Sequence, residues 1–273
     1  MDWLLEPLAQ GFMRRALLAG TLVGGAGALI GVFIVQRGLA FLSDGLAHAS
    51  FGGIALGLLI GASVDRSVWV ALPFTLAVAL GIGFVRRRTG LGGDVATGVF
   101  FAVSFALGVL LLGLRSPHAE TVNVESLLFG SILAISSDLV GAMLAVATVT
   151  AVALAYSWSR LAYATFDPEL AALSGVPVAG LEYMLLALTA VVVVGGVKTV
   201  GVVLVSAFIV IPAATARLLG RSLGRIAVIA VVLGVAGSGV GLLASYHLNV
   251  ASGATIILTL GACFFLALLI QRG

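Results

Sequence analysis

Charged side chains are scarce in this chain. Aspartate, glutamate, lysine and arginine make up 9% of its 273 residues, whereas hydrophobic residues make up 61%. A soluble domain carries about a quarter charged residues, so this composition excludes an ordinary soluble protein and predicts one embedded in a lipid bilayer. The net charge of +3 is spread over several connections and forms no basic tract, so nothing indicates nucleic acid as a partner.

Cysteine and nucleotide-binding motifs are also lacking. The one cysteine, Cys263, excludes an intramolecular disulfide and a cysteine-based metal cluster. The chain has no GxxxxGK[ST] loop to hold nucleotide phosphates and no HExxH pair for an intramembrane metalloprotease. We therefore expect a transport protein that is not itself an enzyme. A channel, an ion-coupled secondary transporter and a permease driven by a separate ATPase remain open, although no internal repeat is evident, which favours a separate drive.

Long apolar runs account for most of the sequence. A spanning helix needs about 20 apolar residues, and nine segments meet this requirement. They are 16–36, 39–61, 68–85, 97–114, 137–157, 181–197, 199–216, 226–244 and 252–270. The sequence therefore predicts one all-α transmembrane domain over residues 1–273 with about nine spans. The glycines from Gly195 to Gly201 predict either a tight hairpin or a broken helix.

Lysine and arginine positions predict the orientation, because cytoplasmic connections carry the excess of these residues. With the carboxyl terminus inside, nine lie on the inner side: Arg37, Arg86, Arg87, Arg88, Arg160, Arg217, Arg221, Arg225 and Arg272. Five lie outside: Arg14, Arg15, Arg66, Arg115 and Lys198. We therefore expect a multi-pass membrane protein with a cytoplasmic carboxyl terminus and an external amino terminus.

Two ionisable residues interrupt the second apolar segment. Asp44 and His48 lie within FLSDGLAHASFGGIALGLLIG at residues 41–61, where such groups cost several kcal/mol unless they find a partner or water. In a helix, a spacing of four places both on one face, about 6 Å apart along the axis. Carboxylate and imidazole are both ligands for zinc, manganese and iron. The pair predicts either a transient metal site or a buried hydrogen bond that pins helices together.

Two ligands are few for one metal ion. If a second copy of the chain met this helix across a two-fold axis, two carboxylates and two imidazoles would form a four-ligand set. Ser43 and Ser50 are weaker candidates for additional oxygen ligands.

Two connections carry polar residues of interest. The outer one, SPHAETVNVESLLFGS at residues 116–131, contains Glu120 and Glu125, and it either ends in a short amphipathic helix, ESLLFG, on the outer surface or is an ordinary solvated loop. In the inner one, at residues 160–180, Asp167 can cap a short helix that begins at Pro168 and ends at Gly175. That helix is either a docking element or a connector.

Several segments, in the same order, resemble the membrane permeases of manganese, zinc and iron ABC importers, the ABC-3 family. They are FMRRALLAG from Phe12, VQRGLAFLSDGLAHASFGGIALG from Val35, GDVATGVFFAVSFALGVLLL from Gly93, ESLLFGSIL from Glu125, FDPELAALSGVP from Phe166, VKTVGVVLVSAFIVIPAATARLL from Val197 and SGATI from Ser252. The stretch HLNVASGAT departs from the family, which often has an acidic residue and a proline where this chain has Asn249 and Ala251.

The resemblance implies a type II importer permease that imports a divalent transition metal by alternating access and holds no permanent cofactor. It places the metal-coordinating positions on Asp44 and His48. It also implies an ATPase-coupling helix near 166–176, which contains Asp167, Pro168, Glu169 and Gly175. The implied partners are a second copy of the chain, two copies of a cytoplasmic ATPase and an extracytoplasmic metal-binding protein that docks on the loop with Glu120 and Glu125. The alternative is an ion-coupled secondary metal transporter that works without an ATPase.

Overall fold

Long helices dominate the computed structural model, which describes residues 7, 9–64, 66–114 and 132–272. The long helices are α1 (Gly11–Gln36), α2 (Ala40–Leu59), α3 (Val68–Thr89), α4 (Gly93–Gly113), α5 (Ser137–Phe166), α7 (Val178–Val200), α8 (Val202–Leu219), α9 (Leu223–Leu248) and α10 (Ser252–Arg272). A 3-10 turn, Ile132–Ala134, precedes α5, and α6 is a short helix, Pro168–Leu173. Within the described residues the fold is all-α, and nine helices have the length and composition to cross a membrane.

The helix ends extend beyond the predicted spans. The first helix begins at Gly11 rather than at residue 16, so Arg14 and Arg15 are helical and do not lie in a connection. The fifth continues to Phe166 rather than ending at residue 157, so Arg160 is helical as well. The apolar stem of an arginine can cover a helix while its charged head reaches water. A count of apolar residues therefore makes these two helices too short.

Gly201 forms the whole connection between α7 and α8. It has φ 91° and ψ 165°, a backbone conformation that residues other than glycine rarely adopt. Gly196 of α7 lies against Val205 of α8, which shows that the two helices fold back on each other. The tight hairpin is therefore the observed alternative.

Glycine permits backbone contact where α1 crosses its neighbours. A Cβ atom at Gly24 would lie 2.7 Å from the carbonyl oxygen of Gly234 on α9, and one at Gly31 would overlap the carbonyl oxygen of Ile209 on α8. Small residues let membrane helices approach closely enough for extensive van der Waals contact. The first helix is thereby packed between α8 and α9.

The helix ends lie on two sides of the bundle. Successive long helices run in opposite directions through the bundle. Gly53 in the second half of α2 packs on Ala71 near the start of α3, and Arg37 after the end of α1 contacts Thr165 near the end of α5. We call one side the arginine-rich end, where α1, α3, α5, α8 and α10 end. Its described arginine side chains are Arg37, Arg86, Arg87, Arg88, Arg160, Arg217, Arg221 and Arg225.

The contact at Gly31 gives a test of the packing. We expect Gly31→Ala to destabilise the protein by about 1–3 kcal/mol, because the added methyl group meets the backbone of α8, which cannot rotate away. Gly25→Ala is the matched control on the same helix, since its Cβ would lie 3.5 Å from Val235, an ordinary contact. Thermal unfolding in detergent should show a lower Tm for the first variant only. Equal Tm values would contradict the packing described.

Candidate functional site

The described residues of the chain leave one stripe of α2 uncovered. The residues of this helix that are not buried are Ala40, Phe41, Asp44, His48, Leu56 and Leu59. Successive members are separated by one, three, four or eight residues, so they lie on one face. Both ionisable residues of α2 are therefore on its only open face. They lie in the half of the helix that is nearer the arginine-rich end.

His48 has a defined hydrogen bond. Its Nδ1 atom lies 3.0 Å from the backbone carbonyl oxygen of Asp44 and 3.6 Å from the Asp44 carboxylate oxygen Oδ1. A carbonyl oxygen only accepts, so Nδ1 donates and a neutral imidazole has its lone pair on Nε2. Histidines that bind metals commonly donate their other ring nitrogen to a carbonyl in this way. The arrangement leaves Nε2 as the atom that can act as a ligand.

The hydrogen bond of His48 stays within α2. The imidazole ring is 21% exposed and the Asp44 side chain 39% exposed, so neither group is buried between helices. Their side chains are also beyond hydrogen-bond distance of each other. The described geometry therefore contains no Asp44–His48 bond that could pin α2 to a neighbouring helix.

Aromatic residues of α4 hold the His48 ring. Phe101 meets the ring edge to face at a centroid distance of 5.0 Å, and Phe105 lies 5.9 Å away. The close approach of α2 and α4 that permits these contacts depends on small residues, since Gly45 lies against Thr97 and Gly52 against the backbone of Ser104. Edge-to-face aromatic pairs are each worth about 0.5–1.5 kcal/mol. They restrict the orientation of the imidazole.

The two serines considered as ligands lie elsewhere. Ser43 and Ser50 are fully buried, and their hydroxyl groups donate to the carbonyl oxygens of Ala40 and Ala47 in the preceding turn. They do not lie on the uncovered stripe. Among the described residues, no third histidine, cysteine or acid joins the pair in a group that could hold a metal ion.

The short helix α6 has the predicted local structure. The Asp167 carboxylate accepts a hydrogen bond of 2.9 Å from the backbone N–H of Leu170, and Pro168 occupies the first helical position. Gly175 follows the helix with φ 78°, as a glycine at this position commonly does. Glu169 is exposed. The sequence thus predicted the cap and the start of this helix correctly, whereas the helix ends at Leu173, two residues before the predicted Gly175.

Two apolar side chains of α6 are also exposed. Leu170 is 50% exposed and Leu173 85% exposed. Their spacing of three residues puts them on one side of the short helix. This exposed apolar surface adjoins the acidic residues Asp167 and Glu169, so α6 presents both kinds of contact at the arginine-rich end.

Sequence reasoning missed Glu182. This residue of α7 is 13% exposed, and its carboxylate binds Arg86 at 2.9 Å and Arg87 at 3.5 Å. The signal was available, because Glu182 is an acid inside an apolar segment, as Asp44 is. A carboxylate in that position needs a cation, and α3 supplies two.

Arg37 lies close to this group. Its Nε atom donates to the hydroxyl of Thr165 at 3.0 Å. Burial lowers the pKa of Arg37 from its ordinary value, while the charge of Glu182 raises it and that of Arg86 lowers it further. The arginine remains a cation in spite of this shift, since the ordinary pKa of arginine is far above neutrality.

Cavities lie at the end of the bundle opposite the arginine-rich end. One of about 630 Å³ lies among Leu133, Val203 and Leu258, and another of about 500 Å³ includes Met13 and Tyr246. Neither includes Asp44 or His48. The loop residues Glu120 and Glu125 lie outside the described part of the chain, so their docking role stays a prediction.

Comparisons with known proteins cover nearly the whole chain. It matches the ABC 3 transport family over residues 9–271. It is 35% identical to the manganese transport system membrane protein MntC of Listeria innocua, over 97% of this chain and 93% of that protein. It is 30% identical to the "Probable iron transport system membrane protein" of Haemophilus influenzae, over 98% of this chain and 96% of that protein.

A solved structure has a similar fold. A chain in the structure of PsaBC from Streptococcus pneumoniae in complex with Fab superimposes with a TM-score of 0.83 at 29% identity. The match covers 97% of this chain and 94% of that one. The similarity therefore extends through all the described helices and is not confined to one hairpin.

Proposed function

Because the chain belongs to the ABC 3 transport family, we propose that it is the membrane permease of an ATP-driven importer of a divalent transition metal. As a permease subunit the chain is not an enzyme, and ATP hydrolysis belongs to a separate subunit. One observation carries the proposal of metal transport: the stripe of α2 that the described residues leave uncovered presents a carboxylate and an imidazole together.

An ionisable stripe is costly against lipid. Insertion measurements assign about 2.5–3.5 kcal/mol to an aspartate at the centre of a spanning helix. Asp44 has 39% of its side chain exposed within one copy. The stripe therefore needs either water or a protein partner. We infer that a second copy of this chain covers it, so that the transport path runs between two α2 helices.

A two-fold pair of stripes would also complete the metal site. One copy offers a carboxylate and the Nε2 atom of His48, and a second copy doubles this set to four ligands. Oxygen and nitrogen ligands without sulfur suit manganese and iron, the metals named for the two relatives, and also suit zinc. The ion would be held transiently as cargo and released by the movement that alternates access.

The arginine-rich end provides the coupling to ATP hydrolysis. With that end in the cytoplasm, as the lysine and arginine distribution predicts, α6 faces the side on which a nucleotide-hydrolysing subunit would bind. Exposed Leu170 and Leu173 supply apolar contact, and Asp167, Pro168, Glu169 and Gly175 define the helix. Two ATPase subunits would bind the α6 helices of two copies. A metal-binding protein would dock at the opposite end, where the loop with Glu120 and Glu125 begins.

The metal site is tested by neutral substitutions. We expect Asp44→Asn and His48→Gln each to reduce metal uptake by about a hundredfold or to background, because each removes a ligand while keeping the size of the side chain. Ser50→Ala, a buried change on the same helix, is the control. Uptake of manganese, iron and zinc is measured in vesicles that contain the permease and its ATPase.

Normal uptake in both variants would contradict this site. Uptake that requires no ATPase would instead favour an ion-coupled secondary transporter. Competition among the three metals in the same vesicles would identify the preferred cargo.

The two-fold arrangement is tested by cysteine cross-linking. The chain has one cysteine, so Cys263→Ser gives a background without thiols. Phe41→Cys then places a thiol on the uncovered stripe, one turn from Asp44, whereas Tyr156→Cys places one on an 84% exposed position of α5. We expect a short bifunctional thiol reagent to yield a covalent dimer only with the first. A monomer from the Phe41 variant would contradict the proposed interface.

The coupling role of α6 is tested through its cap. Asp167→Ala removes the acceptor for Leu170 and should cost the helix about 0.5–2 kcal/mol, while Asp167→Asn retains an amide cap. We expect the alanine variant to bind less ATPase in co-purification and the asparagine variant to bind nearly as much as the native chain. Ser222→Ala, which removes the cap of α9 at the same end, is the control.

A second change on α6 tests the contact surface itself. Leu173→Ser should reduce co-purification because it removes the most exposed apolar group of the helix. Unchanged ATPase binding in both Asp167→Ala and Leu173→Ser would show that α6 is only a connector.

A further inference from the structure

Arg37 connects the helix of the proposed metal site, α2, to the proposed ATPase-coupling helix, α6. It follows α1 directly and precedes α2, the helix of Asp44 and His48. Its side chain donates to Thr165, which lies in the last turn of α5 and two residues before Asp167. The contact therefore connects the base of the metal-binding helix to the base of α6.

The backbone around Arg37 is held firmly. The backbone N–H of Arg37 donates to the carbonyl oxygen of Phe33 at 3.1 Å, and the N–H of Leu39 donates to the carbonyl oxygen of Ile34 at 2.9 Å. The N–H of Leu42 in turn bonds to the carbonyl of Leu39 at 2.9 Å. A displacement of Arg37 must therefore displace the first turn of α2, and Asp44 lies in the next turn.

The other end of the contact is equally well attached to α6. The hydroxyl of Tyr163 lies 3.1 Å from the hydroxyl of Ser174 at the end of α6, and the N–H of Asp167 bonds to the carbonyl of Tyr163 at 3.0 Å. Both bonds attach α6 to Tyr163, two residues before Thr165 in the last turns of α5. Movement of α6 therefore reaches Thr165 through hydrogen bonds rather than through a loose connection.

Arg37 is poorly suited to a purely stabilising role. Its Nη2 atom is buried and has no hydrogen-bond partner among the described residues, and such a group carries a desolvation cost. The nearby acid, Glu182, binds Arg86 and Arg87. The charge of Glu182 acts on Arg37 from a distance, whereas the hydrogen bond that Arg37 itself makes goes through Nε to the neutral hydroxyl of Thr165.

We propose that Arg37 is a positioning residue that transmits the movement of α6, through Thr165, to the Asp44 and His48 stripe of α2. This rests on the proposed function, because it assigns a transmission role within ATP-driven metal transport. It predicts that weakening the Arg37–Thr165 contact lowers the number of ions moved per ATP hydrolysed and leaves metal affinity and ATPase binding unchanged.

The experiment uses Thr165→Val, which removes the hydroxyl acceptor and keeps a branched side chain. Thr148→Val on the same helix is the matched control. The hydroxyl of Thr148, like that of Thr165, donates to the carbonyl oxygen four residues earlier, but Thr148 is exposed. Metal uptake and ATP hydrolysis are measured together in vesicles that contain the permease–ATPase complex and the metal-binding protein. We expect the ratio of ions to ATP to fall about three- to tenfold for Thr165→Val, with no change for Thr148→Val.

Arg37→Lys supplies the second variant, because it keeps the charge and loses the guanidinium geometry. It should lower the ratio in the same way, and combining it with Thr165→Val should add little further loss, since both remove one contact. A merely structural contact would lower the Tm and reduce uptake and hydrolysis together, with a constant ratio. A constant ratio would overturn the proposal.

Hydrogen exchange separates this outcome from a failure of the proposed function. In the purified permease, Thr165→Val should speed amide exchange at residues 40–47, and Thr148→Val should not. If the native complex moved no metal, the proposed function would fail and exchange alone would decide whether the contact controls α2. Unchanged exchange at residues 40–47 would overturn the proposal by itself.

Discussion

Ionisable groups within an apolar bundle are the constraint on which this structure depends. The chain has few of them, and each must be matched because hydrocarbon offers neither water nor counterions. Glu182 is matched inside one copy by Arg86 and Arg87. Asp44 and His48 lie 3.6 Å from each other, and the described residues supply no further acid, histidine or cysteine to the pair. The first group thus closes the bundle at one end, whereas the second requires something beyond a single chain: an ion, water or a second copy.

Much of the fold could be predicted from the sequence because hydropathy and length determine spanning segments almost by themselves. All nine predicted spans have a counterpart among the described helices. The cap at Asp167 was equally accessible, since capping depends on residues within one turn. Helix ends such as Phe166 could not be predicted, because they depend on where arginine and aromatic side chains reach the membrane–water interface. The hairpin at Gly201 could be narrowed to two alternatives, and tertiary contact between α7 and α8 decided between them.

The candidate site, too, could be predicted from the sequence only in part. Helical periodicity placed Asp44 and His48 on one face of α2, and that relation holds in the structure. The burial of Ser43 and Ser50 away from the uncovered stripe could not be predicted, because it depends on which side of α2 packs against its neighbours. The same is true of Phe101 and Phe105, whose contact with His48 arises from the crossing of α2 and α4. Long-range pairing of this kind, including Arg37 with Thr165, has no signature in local sequence.

The one-residue connection at Gly201 has a mechanical consequence. With no further residue to absorb a change of angle, α7 and α8 cannot separate at that end, although each packs on different helices elsewhere. At the arginine-rich end α7 holds the α3 arginines through Glu182, while α8 lies against α1. Any movement of one helix at that end must therefore be accompanied by a movement of the other. Gly201 thereby tethers the helix that binds the arginines of α3 to the helix that packs on α1.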